Sequence, residues 1–271
     1  MIEGQYTQSW GSFAPTGFEA AAIAQSVQAP DSLWGSLARR MVLTARKTPL
    51  DVERFGVKLR LYPSDNLCEK RALLTPERFD PAERHILLDR IHPEFRFVDI
   101  GANIGLYSLL VAAAAGPKGR VLAVEPQPVI KQRLRFNLLA NKSLQIIHAD
   151  CAVAAKKGVA RMSLSRQNRG AAGFALRSGA KPDDEFMVQT RVLSELLHTH
   201  DMHGADALKM DIEGAEDQVL PGYFEDTPTE GLPKLLILER NPDWSVDCIE
   251  LAQKCGYRLI EQAHMNVVLE R

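Results

Sequence analysis

Two kinds of apolar pattern alternate along this chain. Short apolar runs, each closed by glycine, proline or an acid, suit strands buried on both faces. Longer stretches with apolar residues three and four apart suit amphipathic helices. Residues 97–100, 120–125, 145–149, 208–212 and 234–238 are runs of the first kind and predict five strands. Residues 257–262 and 265–269 predict a closing antiparallel hairpin. Helical stretches separate several of these runs, among them the alanine-rich segment 106–115, the segment after Pro126 and the one ending at Cys255. Strands alternating with helices in this order imply an α/β fold, with a mostly parallel sheet and helices on both faces.

The chain ahead of the first long strand reads differently. Residues 1–30 are rich in Gly, Ser, Gln and Ala with weak periodicity, and read as an arm, packed or partly disordered. Residues 32–47 predict a helix on the spacing of Leu33, Leu37 and Met41, capped by Asp31 or Ser32 and stopped at Thr48-Pro49. Residues 52–54 and 57–62 predict a small hairpin around Gly56. Asp80-Pro81-Ala82-Glu83 has the form of a helix start, with Asp at N-cap, Pro at N1 and Glu at N3. The expected organisation is an N-terminal arm and helix (1–50), a lead-in hairpin and helix (51–96), and a core (97–271). Within that core, residues 151–192 read as a long irregular insertion, a lid or a substrate loop.

Composition adds exclusions. With 45% hydrophobic residues, 25% charged residues and a net charge of −1, the chain has no bulk attraction to nucleic acid or to an anionic membrane. No run reaches the length of a membrane span, and no secretory signal pattern opens the chain. Cys68, Cys151, Cys248 and Cys255 form no C-x-x-C pair and read as reduced thiols. A cytoplasmic enzyme is the expectation, and the residues leave a homodimer open.

The chemistry concentrates where the first core strand ends. Asp99-x-Gly101-x-Asn103-x-Gly105 turns a strand into a helix through glycines, as nucleotide-cradling units do. The spacing is not that of a dinucleotide fingerprint. A carboxylate ahead of the first glycine would repel a pyrophosphate but suit a cationic ligand, which points to S-adenosylmethionine. Asp99, Glu125, Asp150, Asp211 and Glu239 all fall at predicted strand carboxyl ends, the rim where ligands bind on such sheets. Lys209, Asp211 and Glu213 alternate along one strand and share a face. Lys209 is open to two readings, a base with a lowered pKa or an ion pair with Asp211. Glu213 and Glu216 open the next helix, where acids complement its dipole. His198, His200 and His203 read as solvated residues rather than metal ligands.

At four places the chain resembles the FkbM family of S-adenosylmethionine-dependent methyltransferases. These are Phe97-Val98-Asp99-Ile100-Gly101-Ala102-Asn103-Ile104-Gly105, Val124-Glu125-Pro126, Lys209-Met210-Asp211-Ile212-Glu213-Gly214-Ala215-Glu216, and the strand from Leu235 to Glu239. The resemblance implies a Rossmann-like class I methyltransferase fold with seven strands, the last pair antiparallel. It implies methyl transfer to an oxygen of a saccharide, glycoside or secondary metabolite. Transfer to nitrogen or a carboxylate, and a non-catalytic partner subunit, are the alternatives. Asp99, Gly101, Asn103, Gly105, Glu125 and Asp150 are the expected cofactor residues, Glu125 on the ribose and Asp150 on the adenine amino group. Asp211, Lys209 and Glu239 are the expected catalytic residues, and Asn168 and Glu213 the substrate residues. The acceptor is expected to be a small hydroxylated molecule, with neither nucleic acid nor metal required. Asp211, Glu239 and Asn241 match the divalent-metal layout of catechol-type methyltransferases in position only.

Overall fold

The computed structural model describes residues 3–46, 48–164, 172–174, 184–263 and 265–271. Three helices open the chain: α1 (Glu3–Thr7), α2 (Gly17–Gln28) and α3 (Leu33–Ala45). A hairpin of β1 (Leu50–Arg54) and β2 (Val57–Leu61) follows, then α4 (Leu67–Leu74) and α5 (Pro81–Leu88). The core continues through β3 (Arg96–Ile100), α6 (Leu106–Ala115), β4 (Arg120–Val124), α7 (Pro128–Ala140) and β5 (Ile146–Ala149). Next come β6 (Ala152–Val153), β7 (Gly158–Leu164), β8 (Ala172–Phe174), β9 (Asp184–Arg191) and α8 (Leu193–Thr199). The chain closes with β10 (Ala207–Met210), α9 (Glu216–Asp226), β11 (Leu235–Glu239), α10 (Cys248–Lys254), β12 (Arg258–Ala263) and β13 (Asn266–Glu270).

Seven of these strands form one sheet in the order β12-β13-β11-β10-β3-β4-β5. It is parallel except for β13, which runs antiparallel to both neighbours. The strands are apolar on both faces because both are covered. Phe97, Val121, Leu235 and Ile237 pack against α6 and the β1–β2 hairpin, while Val98, Leu122, Leu208 and Leu236 pack against α8, α9 and α10. β3 lies between β4, the next core strand in the chain, and β10, which returns much later. This reversal of strand order opens a crevice at the carboxyl ends of β3 and β10.

Two expectations are corrected, and the open reading of the N-terminal arm is decided for packing. The segment from 151 to 192 is not simply irregular, because β6, β9, β7 and β8 make a second, four-stranded sheet. The N-terminal arm is largely helical and firmly attached. Arg60 is buried and reaches Asp51 from Nε at 2.7 Å, and it donates to the carbonyls of Gln8 and Ser9. Asp51 in turn accepts from the Gly11 and Phe13 amides. In α3 the core face is Gly35, Ala38 and Val42, whereas Leu33 is 88% exposed, so the leucine spacing marks the solvent side. Among the described residues no helix is long and apolar enough to cross a membrane.

Candidate active site

Past the end of β3, Gly101, Asn103 and Gly105 all take positive φ. Gly101 and Ala102 donate to the Val124 carbonyl, which ties this turn to β4. A Cβ on Gly101 would stand 1.9 Å from the Asp211 carbonyl oxygen. Glycine therefore lets the ends of β3 and β10 close together. Gly105 has a different reason: its Cβ would meet Leu134 at 2.6 Å, beneath the turn.

The acids at the strand ends face one pocket. Asp99 is buried, and its Oδ2 accepts from the Ser108 amide at 3.1 Å and the Ser108 hydroxyl at 2.6 Å. Burial pushes its carboxyl above the ordinary range, against the pull of Lys209 and Ser108. Glu125 accepts from the Asn103 amide at 3.0 Å on one oxygen and from the Gln127 amide at 2.8 Å on the other. Burial pushes it up to about 8, against those two amides. A carboxyl group has about four lone-pair sites; two accept these amides, and with a proton on a third, Glu125 offers one donor and one acceptor to a hydroxylated ligand.

Beyond this pair lies a third charged group. Lys209 is buried, with Nζ 2.8 Å from Asp211 Oδ2 and 5.2 Å from the Tyr107 ring centre. Burial works against its charge, but Asp211 and Asp99 outweigh burial and hold it above the ordinary lysine range. Lys209 is thus a fixed ammonium, and of the two sequence readings the ion pair is the one found. Burial raises Asp211, but the Lys209 charge and hydrogen bonds from Lys209 and Glu239 leave it below the ordinary carboxylate range. Burial, and then the charges of Asp211 and Glu213, push Glu239 up to about 9. Glu239 therefore carries a proton at neutral pH and donates it toward Asp211. Asp211, Glu213 and Glu239 bring one oxygen each within 4.8 Å of one another, and the Lys209 ammonium balances charge inside that cluster. Asn241 does not line the pocket. Its side chain packs on Gly214, whose Cβ would lie 2.2 Å from Asn241 Nδ2, and its Oδ1 accepts from the Asp243 amide.

The lead-in supplies the opposite wall. Asn66, Leu67, Cys68, Arg71, Phe79 and Asp80 all line the pocket. α4 is locked to the core by Arg133 of α7, which reaches Glu69 at 2.6 Å and Asp65 at 2.8 Å. Asn66 Nδ2 donates to Asn103 Oδ1, joining this wall to the glycine turn. Asp80 departs from its expected role. It sits at φ 40 and makes no side-chain cap bond, and its Oδ2 accepts from the Tyr107 hydroxyl at 3.1 Å.

Of the residues singled out from sequence, Asp99, Gly101, Asn103, Glu125, Lys209, Asp211, Glu213 and Glu239 line this pocket. Gly105 lies behind it. Asp150 is not in the lining; Lys131 at 2.7 Å and Arg135 at 3.3 Å take its carboxylate instead. Asn168 lies outside the described residues, as do Arg169, Gly170 and His264. Glu216 braces the loop after β10, accepting from the Ile212 amide and the Trp244 indole. Among the described residues no histidine lines the pocket. Sequence reasoning missed the α4 wall and Tyr107. A signal existed only for Tyr107, one helical turn beyond Asn103 in α6.

The model of the Methyltransferase FkbM domain matches residues 99–259, more than half of the chain. The chain belongs to the FkbM methyltransferase family. The family segment carries the glycine turn and all five acids at strand ends. "Methyltransferase sdnD" of Sordaria araneosa is 29% identical over 157 residues, which are 48% of this chain and 60% of that protein. A 46-residue stretch is 50% identical to the AMB antimetabolite synthetase AmbE of Pseudomonas aeruginosa, covering 17% of this chain and 2% of that one. The chain thus spans less than two thirds of either relative. Among solved structures, M. jannaschii TYW2 in complex with AdoMet is 17% identical, with a TM-score of 0.42, covering 83% of this chain and 88% of that one. S-adenosylmethionine is the cofactor of this FkbM family member, and the pocket suits it chemically. Its acidic lining is the complement of a cofactor that carries an ammonium and a sulfonium.

Proposed function

We propose that this FkbM-family chain methylates a hydroxyl oxygen of a small acceptor, a saccharide, glycoside or secondary metabolite, and that Asp211 receives the hydroxyl proton. The bound cofactor supplies an electrophilic methyl group and leaves as a neutral thioether. As the oxygen–carbon bond forms and the carbon–sulfur bond breaks, the acceptor proton passes to an Asp211 carboxylate oxygen. Asp99 and Glu125 hold the cofactor's methionine and ribose portions, and Lys209 keeps Asp211 ionised. The Lys209–Asp211–Glu239 group is the observation that carries this reading. It holds one ionised carboxylate on the pocket wall where no described histidine is present to act as base.

The test is turnover of methyl-labelled S-adenosylmethionine against a panel of sugars and hydroxylated metabolites. Asp211→Asn is expected to abolish labelling while retaining adenosylhomocysteine affinity. Retained labelling would remove Asp211 from the chemistry, and an equal loss of both would make it a binding residue. Labelling confined to amine or carboxylic acid acceptors would overturn O-methylation.

A further inference from the structure

Six carboxyl side chains line the pocket, those of Asp80, Asp99, Glu125, Asp211, Glu213 and Glu239, against two cations. One cation, Lys209, is taken up by Asp211 at 2.8 Å. The other is Arg71 in α4, at the pocket mouth, exposed and with no partner for its guanidinium among the described residues. The helix beneath it is fixed, since Glu69, two residues earlier, is fully buried against Arg133. Arg71 lies outside the segment 99–259 that matches the family model.

A carboxylate entering this pocket meets a wall of acids, with Asp211 ionised among them and its one neighbouring cation already taken up. A ligand carrying a carboxylate can place it favourably beside one unpartnered donor, and guanidinium matches carboxylate geometry in a bidentate way. We infer that Arg71 is the carboxylate receptor of the site, holding the negative end of a ligand whose cationic groups face the acids. This rests on the cofactor assignment made above. Two ligands could bring the carboxylate: the methionine portion of the cofactor, or an acidic acceptor such as a uronic acid.

Arg71→Gln and Arg71→Lys are compared with the wild type by calorimetry, using adenosylhomocysteine and decarboxylated S-adenosylmethionine as probes. Glucuronate and glucose are then tested as acceptors at saturating cofactor. If the cofactor supplies the carboxylate, Arg71→Gln weakens adenosylhomocysteine about 10- to 100-fold and leaves the decarboxylated probe unchanged, with Arg71→Lys in between. If the acceptor supplies it, both nucleosides bind as before and labelling of glucuronate alone is lost. A structural role would weaken both probes alike, and that result overturns the assignment. So does a variant that binds both probes normally with no selective loss on glucuronate. A wild type that binds neither probe overturns the cofactor assignment itself, and the role of Arg71 with it.

Discussion

Gly101→Ala separates two effects that a pocket glycine can have. The new Cβ would not point into open cofactor space but at the Asp211 carbonyl, 1.9 Å away. That carbonyl belongs to the backbone, so relief requires the ends of β3 and β10 to move apart. The positive φ of 79° adds a conformational cost of its own, about 1–2 kcal/mol. Overpacking against an unyielding neighbour adds about 1–3 kcal/mol. Gly56→Ala is the control, since Gly56 has φ 77° and nothing within 4 Å of its Cβ position. The control isolates the conformational term, which in a chain of this size lowers the melting temperature by roughly 2–8 °C. Gly101→Ala is expected to fall further, by an additional 2–12 °C or so. It should also weaken adenosylhomocysteine about tenfold or more, each tenfold being about 1.4 kcal/mol of lost contact. Thermal melts and calorimetry on both variants decide it. Equal melting shifts with unchanged affinity would refute the close approach of β3 and β10.

Glu239→Gln is expected to flatten the alkaline loss of stability. The folded chain retains the Glu239 proton up to about pH 9, while the unfolded chain releases it near 4.5, so stability is full at low pH and is lost as pH rises through that window. The depressed Asp211 acts below pH 4, while Glu125, pushed up to about 8, adds the same slope to wild type and variant and cancels in the comparison. Denaturant titrations at pH 5, 7 and 9 check this, and parallel slopes for wild type and variant would count against a protonated Glu239. Arg133→Met leaves the buried Glu69 charge without its partner, so a loss of about 3–5 kcal/mol is expected, with weaker adenosylhomocysteine binding as the α4 wall loosens. Asp150→Ala is expected to leave adenosylhomocysteine affinity within about threefold, because its carboxylate is half-exposed and paired with surface cations.

How much of this was legible follows from where the information sits. The core strands could be read to within a residue or two because strands buried on both faces must be apolar throughout. Their terminal acids stand out for the same reason, as polar residues breaking apolar runs. The α4 wall could not be read. Its position depends on Arg133 and Glu69, separated by 64 residues in sequence, and neither side has a local pattern that announces the pairing. Asp80 misled because its sequence context fits a cap while its backbone lies in the left-handed region. For Asp150 a strand-end position says where a side chain starts, not that Lys131 and Arg135 of α7 pair with it. The second sheet was hidden because β7 carries glycine, alanine and arginine among its apolar residues.

The rim also shows why acids at equivalent strand ends are not interchangeable. Glu125 and Glu239 are pushed up to about 8 and about 9 because burial dominates, and at Glu239 the charges of Asp211 and Glu213 outweigh the pull of Lys209. Asp211 ends the neighbouring strand to Glu239, yet a buried ammonium at 2.8 Å keeps it ionised. Environments that drive neighbouring groups apart in pKa divide acid from base. A proton leaving an acceptor near this wall at neutral pH therefore has Asp211 as its destination, since Glu239 is already protonated. Lys209 cannot take it either, being cationic. Its contribution is to fix which of two adjacent carboxyls is empty, and that choice is built into β10 by the two-residue spacing that puts Lys209 and Asp211 on one face.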